Sequence, residues 1–434
     1  MARGRGWMTT AWCLLLLCTA VNPQSRRKDS SLLTFLVGES VMAVDSLTKM
    51  ITNAFTSGES RSTRAIMGQH QMSNRERFMC DTKGYRSMTP PTSVHRLMPG
   101  DIDVVAAMGD SLTAGNGAFA TNLAQLFLND RGISWSIGGQ GDWRSYLTLP
   151  NILKEFNPRL TGYSLGKAYS YSKMARLNVA VAGAIDDDIL YQAQVLVKRM
   201  RNDPAVDMKN HWKVITMLIG ANDICIFLCT DPVRHHSDMH LKQIRAALDY
   251  LQQNVPRTLV NLVLVPDIMS LGHMRNKPQV CEIMHALECP CLFGANAASK
   301  AQLVNATIHG YRKVERELIE SGRYDTRDDF TVVLQEYTEI AVTDDMKDSN
   351  GYATMDLSLF SVDCFHLSQR GNAYAANALW NNMLEPVGFK AKHWAPEFQT
   401  VKCPTADSPY IFTNKNSRDY LSRGTDTRWT LGSG

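Results

Sequence analysis

Val104-Val105-Ala106-Ala107-Met108-Gly109-Asp110-Ser111-Leu112 is an apolar run that ends in a glycine-containing turn carrying a serine. The run predicts a buried strand, and the turn places Ser111 just past the carboxyl end of that strand. A serine hydroxyl is a weak nucleophile unless a base takes its proton and fixed donors stabilise the oxyanion that forms. Ser111 is therefore a candidate nucleophile whose partners are to be sought elsewhere in the chain.

Three later segments supply residues of the required types. Asp363-Cys364-Phe365-His366 is the only Asp-x-x-His in the sequence, and this spacing allows an aspartate to orient an imidazole. Gly183 and Asn222 each follow a separate apolar run. We expect Ser111, His366 and Asp363 to be nucleophile, base and orienting carboxylate. The expected oxyanion donors are the backbone amides of Ser111 and Gly183 and the side-chain amide of Asn222.

Short apolar runs alternate with longer amphipathic segments along the middle of the chain. This alternation is typical of an α/β fold in which a mostly parallel sheet is covered by helices on both faces. Five strands are predicted, at residues 104–108, 177–181, 213–219, 259–265 and 330–334. Helices are predicted at residues 187–201, 238–254, 298–321 and 369–384. Because ligands bind beyond the carboxyl ends of such strands, the residues from Ser111 to His366 are expected to converge in one cleft.

The first residues predict a secretory signal peptide over residues 1–24. Arg3 and Arg5 precede an apolar stretch that is too short to span a bilayer comfortably. A short membrane anchor is the alternative, but polar residues follow at once. Because no hydrophobic tail follows Trp394, we expect a secreted, soluble protein without a C-terminal anchor. The other expected segments are a helical lead-in at 25–100, a central α/β domain at 101–390 and a polar extension at 391–434.

The cysteines favour disulfides. The sequence contains ten, of which Cys13 and Cys18 fall in the predicted signal peptide, and the remaining eight form an even set. Cys225 with Cys229 is the local candidate pair. A metal site at Cys281, Cys289 and Cys291 is less well supported, because zinc sites usually pair Cys-x-x-Cys units or add nearby histidines at fixed spacing. No metal is therefore expected at these cysteines.

Charge and motifs exclude several other classes of protein. The formal net charge is only +4 and no long basic run occurs, so no nucleic-acid partner is expected. The sequence lacks the Gly-x-Ser-x-Gly elbow of α/β-hydrolases, the His-Glu-x-x-His zinc motif and a dinucleotide fingerprint, and no cofactor is expected. His235, His236 and His240 are interpreted as part of an exposed polar loop. Asn305 is the one predicted glycosylation acceptor.

The four candidate segments resemble the signature blocks of the GDSL, or SGNH, hydrolases, whose Ser, Gly, Asn and His correspond to Ser111, Gly183, Asn222 and His366. The string from Met108 to Ala118 is similar to the membrane-associated phospholipase B branch of animals, as are residues 149–153, 156–158 and 379–386. The resemblance runs from about Cys80 to Pro386. It implies a three-layer flavodoxin-like sandwich and metal-independent hydrolysis of fatty-acyl esters in phospholipids and lysophospholipids.

This resemblance makes a phospholipase B type of secreted serine esterase the leading hypothesis, with a transient contact to a membrane surface. Relatives of the intestinal type carry repeated catalytic units and a C-terminal anchor, whereas this sequence has one unit and a polar tail. Two alternatives stay open: an esterase for short acyl esters such as acetylated sugars, and a catalytically silent binding protein of the same fold. Trp135, Trp143 and Tyr146 either wall a lipid groove or pack in the core.

Overall fold

A parallel sheet built from the predicted apolar runs forms the centre of the fold. The computed structural model describes residues 67–295, 297–341 and 346–423. The strands lie side by side in the order β1 (Ile102–Gly109), β2 (Trp212–Leu218), β3 (Thr258–Val263) and β4 (Phe330–Gln335). Val105 pairs with Val214, Val214 with Leu259, and Leu259 with Thr331, so one row of residues crosses the whole sheet. Every neighbouring pair of strands is parallel.

The predicted fifth strand, residues 177–181, is an irregular edge segment, so the sheet in the described residues has four strands rather than five. The segment runs beside β1 but forms only one isolated bridge, between Asn178 and Ala107. Val179 and Val181 donate to the carbonyls of Ala107 and Gly109 on β1, but the Gly109 N–H donates to the Gln192 side chain at 2.8 Å instead of continuing the ladder. On the outer edge, Arg131 donates to the carbonyl oxygens of Asn178 and Ala180 at 3.2 and 2.7 Å.

Ten α-helices accompany the sheet within the described residues. In chain order they are α1 (Ser111–Ala114), α2 (Leu149–Phe156), α3 (Ile189–Asn202), α4 (Ser237–Asn254), α5 (Met269–His273), α6 (Gln279–Glu288), α7 (Pro290–Phe293), α8 (Ala297–Glu320), α9 (Gln369–Met383) and α10 (Asn414–Ser422). Turns of 3-10 helix lie at Val94–Arg96, Pro99–Asp101, Leu123–Phe127, Arg131–Ile133, Lys173–Ala175, Asp186–Asp188 and Leu357–Leu359, and a π-helical turn lies at Asp223–Phe227. The four helices predicted from periodicity correspond to α3, α4, α8 and α9, and every observed end lies within two residues of the prediction.

Alternate side chains of β1 enter two separate cores, one on each face of the sheet. Val104 belongs to a buried cluster with apolar residues of α3, α4 and α8. Its neighbour Val105 belongs to the opposite cluster, which includes residues of α2 and α9 such as Trp380. The sheet is therefore the middle layer of an α/β/α sandwich, and the three-layer prediction is confirmed.

The segments before and after the sandwich are joined by the disulfide Cys80–Cys403. The described part of the predicted lead-in, residues 67–100, contains 3-10 turns and no α-helix. The helical prediction for the lead-in rests on apolar residues at helical spacing from Leu32 to Val44. These residues lie outside the described residues, as does the predicted signal peptide. The C-terminal extension buries Ile411 completely before α10 begins. Among the described helices, none combines the length and apolar character needed to cross a membrane.

The predicted pair of Cys225 with Cys229 is wrong, because each of these residues bonds to a different partner. The disulfide pairs are Cys80–Cys403, Cys225–Cys289, Cys229–Cys291 and Cys281–Cys364. Cys225 and Cys229 lie one helical turn apart on the same side of the segment that contains the π-helical turn. Their side chains therefore both bond to cysteines at the start of α7. The fourth pair joins α6 to the loop between Asp363 and His366.

Candidate active site

Ser111 is the first residue of α1 and lies directly past the end of β1. The carboxylate of Asp110 caps α1 by accepting from the backbone N–H of Leu112 at 2.9 Å. Burial raises the pKa of Asp110 to about 6, although this hydrogen bond opposes the shift. Asp110 is thus a structural cap, and Ser111 is held nearly buried, with 7% of its surface exposed.

The turn that precedes Ser111 requires glycine at position 109. Gly109 has a φ of +148°, and a Cβ there would lie 2.2 Å from the carbonyl oxygen of Leu218 on β2. The side chain of Gln192 on α3 accepts from the Gly109 N–H and donates to the Gly109 carbonyl, both at 2.8 Å. The position of the serine is therefore fixed by two strands and a helix.

Ser111, His366 and Asp363 form one continuous line of hydrogen bonds. His366 Nε2 lies 2.9 Å from Ser111 Oγ, and His366 Nδ1 lies 2.6 Å from Asp363 Oδ2. The second carboxylate oxygen, Asp363 Oδ1, accepts from the backbone N–H groups of Phe365 and His366, both at 3.0 Å. One carboxylate therefore shapes its own loop and orients the imidazole, an arrangement that can activate a serine hydroxyl.

Gly183 and Asn222, the other two predicted site residues, lie on adjoining loops. Gly183 has a φ of +77°, which favours glycine, and a Cβ there would meet no atom within 4 Å. Val181 donates to the Gly109 carbonyl at 3.1 Å, which holds the Gly183 loop beside the serine turn. The Asn222 side chain donates to the Ala184 carbonyl at 2.9 Å. Because a primary amide has two N–H groups, the second can donate to a substrate oxygen.

A family model described as GDSL-like Lipase/Acylhydrolase matches residues 105–379, which is more than half of the chain. The chain belongs to this family. It is 43% identical over 367 residues to the membrane-associated Phospholipase B1 of Rattus norvegicus, a match that covers 83% of this chain and 25% of that protein. The protein of the same name from Homo sapiens is 45% identical over 339 residues, covering 76% of this chain and 23% of the relative.

The Mus musculus protein of that name is 41% identical over 362 residues, covering 82% of this chain and 24% of the relative. The GDSL-family chain thus spans about a quarter of the length of these three relatives. The matches confirm the resemblance to the phospholipase B branch that the sequence motifs indicate.

The electrostatics of this GDSL-family site are dominated by the pair of Asp363 and His366. Burial by itself would raise the pKa of Asp363, but the imidazole and the hydrogen bonds to the carboxylate hold it below its usual value. Burial lowers the pKa of His366, but Asp363, with further contributions from Glu288 and Asp110, outweighs burial and raises it to about 9. The site therefore holds a basic imidazole against the serine hydroxyl.

Glu288 is a second carboxylate beside the imidazole, and sequence reasoning missed it. It ends α6, and one of its oxygens lies within 4.8 Å of a carboxylate oxygen of Asp363 and a ring nitrogen of His366. Burial raises the pKa of Glu288, whereas His366 opposes the shift. The disulfide Cys281–Cys364 and a 2.8 Å contact between His285 Nε2 and the Cys364 carbonyl fix α6 against the Asp363 loop.

A buried network of carboxylates and histidines supports the Gly183 and Asn222 loops. The backbone N–H of Asp186 donates to Asp223 Oδ2 at 3.0 Å, and His235 Nδ1 lies 2.9 Å from Asp223 Oδ1. His240 lies between Asp186 and Glu315, at 3.4 and 3.3 Å. Burial lowers the pKa of His240, but the two carboxylates outweigh burial and raise it to about 9. His235 and His240 are 3% and 0% exposed, so the predicted exposed loop is wrong for both.

Within the described residues, two groups of side chains have donor atoms close enough to share a cation. Within each group these atoms lie within 4.8 Å of one another, and the groups are Asp186, Asp223 and His235, and Glu288, Asp363 and His366. In both, a histidine nitrogen is already hydrogen-bonded to one of the carboxylates. Both groups are hydrogen-bonded networks that brace the site.

A cavity of about 350 Å³ opens beside the loop that follows α1. Its lining includes Phe119, Tyr146, Lys167 and Gln369, the last of which lies three residues after His366. Trp135 and Trp143, by contrast, are each 1% exposed and belong to the core under α2 and α9. Of the three aromatic residues singled out in the sequence, only Tyr146 therefore borders an open space.

Proposed function

We propose that this chain is a secreted serine esterase of the phospholipase B type, which hydrolyses fatty-acyl esters of phospholipids and lysophospholipids. The observation that carries the proposal is the line of hydrogen bonds from Asp363 through His366 to Ser111, with contacts of 2.6 and 2.9 Å. The substrate class is supported by the similarity to proteins named membrane-associated Phospholipase B1.

In the first half of the reaction, Ser111 Oγ attacks the ester carbonyl carbon while His366 Nε2 accepts the hydroxyl proton. The carbonyl π electrons move onto oxygen, and the Asp363 carboxylate stabilises the imidazolium. When the carbonyl re-forms, the bond to the leaving alkoxide breaks and that oxygen takes the proton from His366. The products of this half are a fatty-acyl ester on Ser111 and a deacylated glycerolipid.

In the second half, water replaces the leaving alcohol and follows the same route in reverse. The water oxygen attacks the acyl carbon while His366 Nε2 takes a proton from the water. When the bond from the acyl carbon to Ser111 Oγ breaks, His366 gives that proton to Ser111 Oγ. Both tetrahedral intermediates carry an oxyanion, for which the donors are the amides of Ser111 and Gly183 and the side chain of Asn222. Every proton is moved by His366, and the net reaction is ester plus water to fatty acid plus alcohol.

The proposal is tested by release of free fatty acid from phosphatidylcholine and lysophosphatidylcholine, with a chelator present throughout. The intact protein is expected to release fatty acid from both lipids, and Ser111→Ala is expected to release none. Turnover of p-nitrophenyl acetate without turnover of either lipid would instead assign the site to short acyl esters. No turnover of any ester by the intact protein would contradict the enzymatic proposal.

Secretion is part of the same proposal, with residues 1–24 as signal peptide, 25–100 as lead-in, 101–390 as hydrolase domain and 391–434 as extension. Four cysteine pairs at bonding distance fit an oxidising compartment. Asn305 lies exposed on α8, where a glycan would be accessible to solvent. The protein is expected to be secreted from eukaryotic cells. It should lose mass on enzymatic deglycosylation, and Asn305→Gln should abolish this mass loss.

Replacing Asn222 with alanine is expected to lower kcat by about 10² to 10³, because one oxyanion donor is lost. KM should change little, since the donor acts mainly on charge that develops in the transition state. The measurement is kcat and KM on a soluble p-nitrophenyl ester. The matched control is Asn210→Ala, an exposed asparagine just before β2. A rate within a fewfold of the parent in the folded Asn222 variant would remove this residue from the oxyanion site.

The pH dependence of kcat/KM should show an acidic limb, on which the rate rises with pH, with an apparent pKa near 9, the value to which Asp363, Glu288 and Asp110 raise His366 against the effect of burial. Below this pKa the imidazole is protonated and cannot accept the serine proton, so the rate rises with pH. Glu288→Gln removes a carboxylate that favours the imidazolium, so the limb should move to lower pH. Glu282→Gln, an exposed change on the same helix, is the control. A limb that stays in place or moves to higher pH in Glu288→Gln would contradict this electrostatic assignment.

A further inference from the structure

Residues 165–174 form a closed loop, which we name the tyrosine loop, that displays apolar side chains to solvent. Tyr171 is 80% exposed, Tyr169 is 40% exposed and Met174 is 46% exposed. The two tyrosine rings stack with their centroids 5.7 Å apart. Single exposed apolar residues are common on protein surfaces, but three within six positions form a patch, and such patches mark interaction sites.

The backbone of the tyrosine loop is firmly held, although its side chains are exposed. The N–H of Leu165 donates to the carbonyl of Met174 at 3.0 Å and closes the loop. Buried Arg131 donates to the Ala168 carbonyl at 2.7 Å, and Arg199 donates to the Ser170 carbonyl. A rigid display of aromatic side chains lowers the entropy cost of placing them against a partner.

The charge of the loop favours a phosphate-bearing partner. It contains Lys167 and Lys173 and no acidic residue. Both lysines are exposed, and Lys167 also lies 3.5 Å from Asp130. Tyrosine places an apolar ring and a polar hydroxyl at the boundary between water and lipid, and lysine near such a surface adds electrostatic attraction to anionic headgroups. This combination matches the surface of a phospholipid aggregate.

The loop is connected to the candidate active site by a short series of hydrogen bonds. Asn116 donates through its backbone N–H to the Ser111 carbonyl at 3.0 Å, and the Asn129 side chain donates to Asn116 Oδ1 at 2.7 Å. The backbone N–H of Ala168 in the loop then donates to the Asn129 carbonyl at 3.0 Å. The cavity of about 350 Å³ borders the loop at Lys167 and is also lined by residues 118–121, which follow α1.

We propose that the tyrosine loop docks this protein onto a phospholipid surface, with Tyr169, Tyr171 and Met174 in the headgroup region and Lys173 beside the phosphates. The inference rests on the proposed lipid hydrolysis, for which it supplies the step that brings the enzyme to aggregated substrate. A lipid surface held at the loop lies next to this cavity, and the loop is joined to the serine turn by the hydrogen bonds through Asn129 and Asn116.

Binding is tested by flotation with phosphatidylcholine vesicles, with and without phosphatidylserine, using Ser111→Ala so that no lipid is consumed. Adding Tyr169→Ser and Tyr171→Ser together is expected to weaken binding to both vesicles by about tenfold or more. Lys173→Gln is expected to weaken binding mainly to vesicles that contain phosphatidylserine. Tyr191→Ser is the matched control, because Tyr191 is 56% exposed on α3, outside the loop.

Activity separates docking from a structural role and from the proposed chemistry. In the protein with Ser111 intact, the double tyrosine variant should lose about tenfold or more of its rate on vesicles while keeping its rate on a soluble p-nitrophenyl ester. Equal loss on both substrates, or unchanged vesicle binding, would overturn the docking proposal and leave the proposed hydrolysis standing. Tyrosine-dependent vesicle binding by a protein that hydrolyses no lipid would support docking and overturn the proposed function.

Discussion

Replacing Ser111 with alanine, His366 with alanine, or both together is expected to lower kcat on a soluble ester by the same factor, about 10⁵ to 10⁶. The two side chains share one proton across a 2.9 Å contact, so neither activates the ester without the other. Their effects should therefore not add. The measurement is kcat for the three variants and the parent, with thermal unfolding recorded for each to show that all are folded.

Additive losses in this series would contradict the assignment. If the double variant loses the product of the two single factors, Ser111 and His366 act in separate steps, and the 2.9 Å contact is structural. A Ser111→Ala variant with substantial kcat would place the nucleophile elsewhere. His309→Ala is a suitable control for histidine loss, because His309 is exposed on α8, away from the hydrogen-bonded line.

Replacing Asp363 with asparagine is expected to lower kcat by about 10⁴, as the corresponding change does in serine proteases. Asparagine preserves the size of the side chain and one acceptor oxygen for the loop amides of Phe365 and His366. It removes the carboxylate that selects the Nδ1–H tautomer of His366 and stabilises its charged form. The measurement is the pH profile of kcat/KM, in which the apparent pKa of His366 should also fall.

Asp356→Asn is the matched control for this substitution, since Asp356 precedes the same loop and pairs with Arg370 rather than with the imidazole. It should leave the rate within a fewfold of the parent. If Asp363→Asn also leaves the rate within that range, the 2.6 Å contact to His366 does not contribute to catalysis. If the rate falls but the apparent pKa stays unchanged, Asp363 acts through loop geometry alone.

Much of the sandwich was predictable because its buried faces repeat along the sequence. The runs that become β1 to β4 are apolar because both faces of the sheet are covered, and the long helices bury a stripe at helical spacing. The same topology predicts the placement of Ser111 and Asn222, since each follows a strand whose carboxyl end lies at one edge of the sheet. The catalytic roles of these residues stay predictions.

The contacts that sequence could not supply all join distant parts of the chain. Cysteine pairing depends on which segments pack together, so spacing suggested Cys225 with Cys229 although both bond to the start of α7. Glu288 reaches His366 only because the insertion between β3 and β4 folds back over the site. His240 is buried between the carboxylates of Asp186, in the turn before α3, and Glu315, on α8. The sequence around His240 does not indicate these contacts.

The edge segment at residues 177–181 shows a different limit of pattern reading. Its composition predicts a strand, and it does run beside β1. The ladder to β1 stops where the Gly109 N–H donates to the Gln192 side chain, and on the outer side Arg131 takes up the carbonyls of Asn178 and Ala180. Gln192 lies on α3, outside the apolar run, so the irregularity emerges only in the folded chain.

In the proposed reaction, Ser111 is the residue that becomes acylated during lipid hydrolysis. The most direct test is reaction of the folded protein with a long-chain alkyl fluorophosphonate, which phosphonylates activated serines with loss of fluoride. Peptide mass mapping and assay of fatty-acid release from lysophosphatidylcholine follow. A single phosphonyl adduct on the peptide containing Ser111, with parallel loss of fatty-acid release and slower labelling in Asp363→Asn, is the predicted result. An adduct on another residue, or fatty-acid release that survives complete labelling of Ser111, would contradict the account.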